Sequence, residues 1–281
     1  MGEYTTPAME KVAELETLSA CPICQSGPTQ LAPLQPQPPF GIQQCLACKM
    51  VFLSPRPPAA GMKDYYDEFY SDKQDRDPRQ ERRAQRHLRR LNRHFVRPGR
   101  VLEIGAGDGY FLHAARDAGW EIEGLELSAP RVQHAQEWFG LPLQNCDLMA
   151  AALKPATFDA VVMLQLIEHM HDPAAVLRKV RSLLRPGGIL TLSTPNILAY
   201  ARKDRGVDSW RIPRHLFFFT PRTLMCSAEA CGFKVISQPL KTSAWQERVL
   251  GWQPWPGTGL LSRITRDLWT PFGLTLVARA V

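Results

Sequence analysis

The sequence predicts an α/β protein: a doubly wound sheet preceded by a small cysteine-bound ribbon. Three observations carry this. Strand-like and helix-like patterns alternate from residue 101 to residue 278, which calls for crossover connections and helices on both faces of one sheet. A glycine-rich turn joins the first strand of that series to its first helix. Ahead of it stand four cysteines in two Cys-x2-Cys pairs, in a segment too short to bury a core of its own.

Residues 101–105 read as a short buried strand that runs into Gly105, Gly107 and Gly109. Glycines there allow left-handed backbone and close approach to a ligand. Phe111, Leu112, Ala115 and Ala118 then follow helical spacing, closed by Gly119. Residues 121–126 form a second strand that ends in an acid, Glu126, placed to accept both hydrogen bonds of a ribose diol. Ser128 is positioned to cap the next helix, with Pro130 in its first turn. Residues 141–143 are expected as a third strand ending at Asn145, Cys146 and Asp147. Phe158–Leu164 is a fourth, continuously apolar as a strand covered on both faces must be. Asp172 and Pro173 cap and start a helix that residues 186–188 stop. Residues 189–193, 233–236 and 273–278 supply strands five to seven, with a helix opened by Thr220 and Pro221 and ended by Gly232 between the fifth and sixth. Ligands of such sheets sit at the carboxyl ends of the strands.

The ribbon rests on Cys21, Cys24, Cys45 and Cys48. Two residues between paired cysteines let one turn aim both sulfurs at one ion, and two such knuckles make the tetrahedron that structural zinc prefers. Pro22 and Gly27 suit the turn. The same ligands would suit an iron–sulfur cluster; disulfides are disfavoured by compartment. Four thiolates leave no open position, so the expected zinc is structural and supplies stability that so short a segment lacks. Cys146, Cys226 and Cys231 are isolated and read as packing residues.

Composition excludes other classes. The chain has 281 residues, 44% apolar and 22% charged, which rules out a disordered protein. No apolar run approaches the roughly 18 residues of a membrane span. Glu3, Glu10, Glu14 and Glu16 stand where a signal peptide would be basic and then apolar, so a cytoplasmic location is expected. The net charge of +7 is uneven. Between residues 76 and 100 there are ten arginines against Asp77 and Glu81, while Ala84, Leu88, Leu91 and Phe95 make one apolar helical stripe. That is either a solvated helix docked on a domain or a surface for an anionic partner. The expected organisation is a tail at 1–17, the ribbon at 18–56, an arginine-rich helical lead-in at 57–98 and the α/β domain at 99–281, with an insertion at 241–270. Four of seven tryptophans lie in that insertion, Trp252 and Trp255 among them. It reads as packing or as a lid over the acceptor.

The strand and turn at 101–109, Glu126, Asp147, Phe158 and Asp159, Glu168 and His169, residues 184–188 and residues 193–196 together resemble the class I S-adenosylmethionine-dependent methyltransferases, in order and spacing. The resemblance covers roughly residues 99–238. The sub-group it most resembles is the small-molecule methyltransferases related to the ubiquinone-biosynthesis O-methyltransferases, and some relatives carry an N-terminal cysteine ribbon and a tyrosine-rich lead-in like Tyr65, Tyr66 and Tyr70. It implies a Rossmann-like seven-stranded sheet. It also implies that Glu103 and the turn of Gly105, Ala106, Gly107 and Gly109 hold the methionine part of S-adenosylmethionine. Glu126, with Leu127 beside it, would take the ribose. Asp147 would face the adenine amino group between Cys146 and Leu148, and Leu164 and Gln165 would line the adenosine and the methyl-transfer side. The glycine spacing departs from the dinucleotide pattern, because Gly109 follows Gly107 by two residues and not three.

Methyl transfer needs alignment and exclusion of water, and a base only when the acceptor loses a proton. His169 and His215 rank first as that base and His171 behind them; buried, hydrogen-bonded imidazoles are the alternative for each. The expected acceptor is a small molecule, such as a sugar, a lipid-linked species or a secondary-metabolite intermediate. RNA or protein held by the ribbon and the arginine helix is the second reading. It is weakened because residues 21–48 contain no lysine or arginine and Lys49 lies just outside. A non-catalytic cofactor-binding scaffold is the third.

Overall fold

The computed structural model describes residues 15–37, 39–61, 67, 75–197, 211–237 and 273–281. Most of the tail, the three tyrosines of the lead-in and the tryptophan-rich insertion lie outside the described residues.

The central sheet contains β4 (Arg100–Ile104), β5 (Glu121–Leu125), β6 (Phe158–Leu164), β7 (Leu184–Pro195), β9 (Phe233–Ser237) and β10 (Gly273–Ala280), in the order β5-β4-β6-β7-β10-β9. β4 pairs in parallel with β5 and β6, and β6 with β7, whereas β10 runs antiparallel to both neighbours. The chain steps from β4 to one side for β5 and to the other for β6. The carboxyl ends of these three strands are therefore the switch point at which ligands of such sheets bind.

The strand expected at 141–143 shrinks to a single parallel bridge between Leu125 and Gln144. The Gln144 N–H donates to the Gly124 carbonyl (2.9 Å), and the Glu126 N–H donates to the Gln144 carbonyl (3.0 Å). Pro142 has no N–H, and the Leu143 N–H turns back to the Leu141 carbonyl (3.1 Å), so the ladder cannot grow towards residue 141. Six strands plus this bridge take the place of seven among the described residues.

Helices cover both faces. α1 (Pro78–Asn92), α2 (Tyr110–Asp117) and α3 (Ala129–Phe139) pack on one face, and α4 (Pro173–Leu183) and α5 (Pro221–Ala230) on the other. The alternation along β6 shows why: Ala160 and Val162 meet Leu91, Phe111 and Leu112, while Val161 and Met163 join Leu177 and Val180. Asp77 caps α1 by accepting from the Arg79 N–H (2.8 Å), and Asp172 caps α4 from Ala175 (2.8 Å). Ser128 occupies the cap position of α3 but makes no side-chain cap bond, contrary to expectation. Phe95 falls beyond the end of α1 and sets its ring edge-on to Trp120 at 4.9 Å.

The cysteine segment forms a second, antiparallel sheet. β1 (Leu31–Gln37), β2 (Phe40–Cys45) and β3 (Val51–Leu53) are joined by β8 (Phe217–Phe218), which comes from the far side of the sequence. Val51 faces Phe218 and Phe52 faces Phe217, and the Leu53 N–H donates to the Leu216 carbonyl (2.8 Å). Ile42, Met50, Phe52 and Leu53 share one buried cluster with Ile167, Phe217 and Phe219. The ribbon is thus built into the face of the molecule that carries α4 and α5.

Candidate active site

The glycine turn leaves β4 with three left-handed residues, Gly105 (φ 69°), Gly107 (φ 55°) and Gly109 (φ 83°). A Cβ at Gly105 would stand 2.8 Å from the Leu166 side chain, and one at Gly109 2.7 Å from Leu141, so neither conformation nor space admits another residue. Beneath the turn, Glu103 is 2% exposed and its Oε2 has no hydrogen-bond partner. Burial, and then the neighbouring Glu126, push its carboxyl well above the usual range. A buried carboxyl with an unused oxygen calls for a cation or an N–H donor from a ligand.

Glu126 closes the turn against the next loop. Its Oε2 accepts from the Gly107 N–H (2.7 Å) and its Oε1 from the Ser128 N–H (2.9 Å). Each oxygen keeps a further lone pair for a ligand hydroxyl. Asn145, which no sequence pattern marks, donates from Nδ2 to the carbonyls of Glu126 (3.0 Å) and Leu127 (2.8 Å) and fixes the loop from behind. Asp147 is exposed, with Oδ1 accepting from the Met149 N–H (2.7 Å). Cys146 beside it is half-buried and Leu148 is buried. The Ser128 hydroxyl, free of the helix cap, is a second buried polar atom without a partner at this end of the sheet. Ala106 is buried in the turn and Leu127 half-buried.

Past β6 the chain bends over the same turn. Leu164 is half-buried, and Gln165 holds a left-handed backbone (φ 55°) while its N–H donates to the Ser193 carbonyl (2.8 Å). The bond to Ser193 holds this non-glycine residue in a backbone conformation that L side chains rarely adopt. Glu168, His169 and His215 follow, with ligating atoms all within 4.8 Å of one another. Glu168 is 1% exposed; Oε2 accepts from the Thr194 hydroxyl (2.9 Å), whereas Oε1 has no hydrogen-bond partner and lies 3.9 Å from His169 Nε2. Burial raises this carboxyl to about 7. His169 Nδ1 sits 2.8 Å from the Arg214 carbonyl. Nδ1 therefore carries the proton in that bond and Nε2 the lone pair. Burial lowers this imidazole to about 4. The His215 ring stands edge-on to it at 4.9 Å. His171 points elsewhere, with Nε2 3.0 Å from the Pro57 carbonyl, and ties the end of the ribbon to the domain.

The four N-terminal cysteines form the other cluster. Their sulfurs all lie within 4.8 Å of one another, with Cys21 to Cys48 at 3.5 Å and Cys24 to Cys45 at 3.6 Å. All four are free thiols. A tetrahedron with metal–sulfur bonds of about 2.3 Å has edges of about 3.8 Å, so the set is of the right size for one ion. The two knuckles are alike. The Gln25 N–H donates to the Cys21 carbonyl and the Lys49 N–H to the Cys45 carbonyl, and Gln25 (φ 59°) and Lys49 (φ 65°) are both left-handed. Gly27, expected to serve the turn, is extended (φ −68°) and makes no use of its freedom.

The described residues contain no helix long and apolar enough to cross a membrane. A methyltransferase domain model matches residues 76–238. Ubiquinone biosynthesis O-methyltransferases are similar over shorter stretches. The Xanthomonas campestris protein is 36% identical over 107 residues, covering 35% of this chain and 44% of that one. The Aeromonas salmonicida protein is 32% identical over 151 residues, covering 48% and 63%. The chain thus spans about half the length of these relatives. Among solved structures, the Burkholderia thailandensis 1,6-didemethyltoxoflavin-N1-methyltransferase, bound to 1,6-didemethyltoxoflavin and S-adenosylhomocysteine, matches with a TM-score of 0.55 at 20% identity, over 89% of this chain and 99% of its own. An S-adenosylmethionine-dependent methyltransferase from Mesorhizobium loti matches with a TM-score of 0.50 at 20% identity, over 69% and 97%. The chain belongs to the S-adenosylmethionine-dependent methyltransferase family, and its fold is that of the family.

Proposed function

We propose that the protein transfers a methyl group from S-adenosylmethionine to a small-molecule acceptor beside His169 and His215. The observation that supports this most is the meeting of the left-handed glycine turn, the unsatisfied Glu103 and the Glu168–His169–His215 cluster at the carboxyl ends of β4 and β6. Glu103 and the backbone of Gly105, Ala106, Gly107 and Gly109 take the methionine part, whose ammonium suits the buried carboxyl. Glu126 takes the ribose, with Leu127 alongside. Asp147 faces the adenine amino group, flanked by Cys146 and Leu148, and Leu164 and Gln165 line the methyl-transfer side. The sulfonium supplies an activated methyl, so the protein's work is alignment, exclusion of water and removal of the acceptor's proton.

His169 is the base, with its proton held on Nδ1 by the Arg214 carbonyl and its Nε2 lone pair the acceptor of the next proton; His215 packs the acceptor against it. Glu168 positions the pair and, as a carboxylate, stabilises the imidazolium that forms. Its carboxyl titrates near 7, so kcat/KM is expected to rise with pH through about 7, as the carboxylate forms. Glu168→Gln should flatten that rise and lower the rate while leaving cofactor affinity in place. A pH profile unchanged by the substitution would remove Glu168 from this role. The acceptor class is tested by incubating the full chain and labelled cofactor with metabolite fractions, RNA and protein: label should enter the metabolites and not the polymers.

The four cysteines we assign to one structural zinc, on the strength of their tetrahedral spacing and paired knuckles. A cytoplasmic setting suits four reduced thiols.

A further inference from the structure

One face of α1 is used neither by the fold nor by methyl transfer. Arg79, Arg82, Arg86, Arg89 and Arg93 are separated by steps of three, four, three and four. They fall within an arc of about 80° and form a row about 21 Å long, on the side opposite Ala84, Leu88 and Leu91. All five are exposed, and none has an acidic group within 4.0 Å among the described residues. The nearby acids are engaged elsewhere. Glu81 binds Arg76 at 2.6 Å, and Asp117 lies against His113 (3.6 Å) and Arg116 (3.9 Å). Three of the five, Arg82, Arg86 and Arg89, line a groove of about 470 Å³ together with Arg76, Glu81 and Gln85 on one side and Tyr110, His113 and Ala114 of α2 on the other.

Like charges three and four residues apart on a helix repel, so the row costs stability unless an anion covers it. The stretch from 76 to 100 has ten arginines and no lysine; the planar guanidinium binds phosphate bidentately where lysine offers a point charge. We propose that this row binds a nucleic-acid strand through its phosphates. A single phosphate needs one or two guanidiniums, not a line of five. A membrane-surface helix needs apolar side chains to insert among the lipids. The exposed positions of α1 hold, besides arginines, only Pro78, Gln80, Gln85 and Asn92. The direction of the row adds to the argument. The Asp77 N–H donates to the Tyr110 hydroxyl (2.7 Å), which sets the start of α1 beside the residue that follows Gly109. A bound strand would run along α2 and reach the rim of the cofactor turn.

The test is fluorescence anisotropy of the full chain with a labelled oligouridylate about 20 nucleotides long, titrated across roughly 50–200 mM salt. Five phosphate contacts predict a slope of log K against log salt of about −3.5, at about 0.7 per contact. The triple variant Arg82→Gln, Arg86→Gln, Arg89→Gln should flatten it to about −1.4 and weaken binding by about tenfold or more at the low-salt end. Unchanged cofactor affinity in that variant confirms that it is folded. The proposal is overturned if the oligonucleotide does not bind, if the triple variant binds it equally well, if inorganic phosphate at millimolar concentration displaces it fully, or if phosphatidylglycerol vesicles bind and the oligonucleotide does not.

Discussion

Cys45→Ser is expected to unfold the ribbon and to release the segment that carries His215. Structural zinc contributes about 10–16 kcal/mol in zinc-finger peptides, as much as the net stability of about 5–15 kcal/mol of a whole domain. A lobe of three short strands cannot stand without it. The damage should not stay in the lobe. β3 is the pairing partner of β8, and the Leu53 N–H holds the Leu216 carbonyl, one residue after His215. Removing the metal therefore strips Phe217 and Phe218 of their partner strand and exposes Phe52 and Leu53, both fully buried. Elemental analysis of the wild type should give about one zinc per chain. Hydrogen exchange of the Cys45→Ser variant, or of wild type after chelation, should show residues 40–53 and 215–219 losing protection together while β4 and β5 keep theirs. Cys226→Ser, at an exposed and unpaired thiol, is the control. Iron in place of zinc would defeat the metal assignment, and loss of protection confined to residues 40–53 would defeat the coupling.

That coupling was not legible in the sequence, and the reason is physical. Residues 52 and 217 are brought together by an antiparallel pair only two residues long. Short apolar runs such as 51–53 and 216–219 fit any buried position, and no local pattern names the partner. What could be read was local or strictly spaced. Phe158–Leu164 is the strand its composition requires, Asp172 is the cap that Pro173 announces, and the glycine turn takes the left-handed angles its residues allow. Local rules failed where tertiary structure imposes a conformation. The knuckles put Gln25 and Lys49 into left-handed backbone while the nearby glycine stays extended. Pro142 shortens an expected strand to one bridge. At the site, the sequence supplied Glu103, Glu126 and the Glu168–His169 pair as residues. It could not show that one oxygen each of Glu103 and Glu168 is buried without a partner, which gives both their chemical interest. Nor could it show that Asn145 holds the Glu126 loop, because side-chain bonds to backbone carbonyls leave no periodic trace.

Glu126→Ala is expected to weaken cofactor binding by about 30-fold or more. In the structure each carboxylate oxygen already anchors one backbone N–H, from Gly107 and from Ser128, and the proposed ribose adds hydroxyl donors to the same two oxygens. Alanine removes the ribose acceptors and also frees the loops that Glu126 holds in register. Charge-assisted hydrogen bonds contribute about 1.5–3 kcal/mol each, so losing two towards the ligand costs roughly 2–4 kcal/mol after water compensates in part, and 1.4 kcal/mol is a factor of ten. Glu126→Gln separates the two roles. Its single carbonyl oxygen can still accept from one partner, but its amide nitrogen cannot accept from Gly107 or Ser128, so affinity should fall between wild type and alanine. Calorimetry with S-adenosylmethionine and S-adenosylhomocysteine reads the affinities, and thermal melting of the ligand-free variants reads the loop anchoring. A variant that melts lower but binds both ligands as tightly as wild type would leave Glu126 as a loop tether and take the ribose away from it. The ordering wild type, glutamine, alanine in affinity, with both ligands losing affinity alongside the drop in melting that the freed loops produce, places the ribose on this carboxylate.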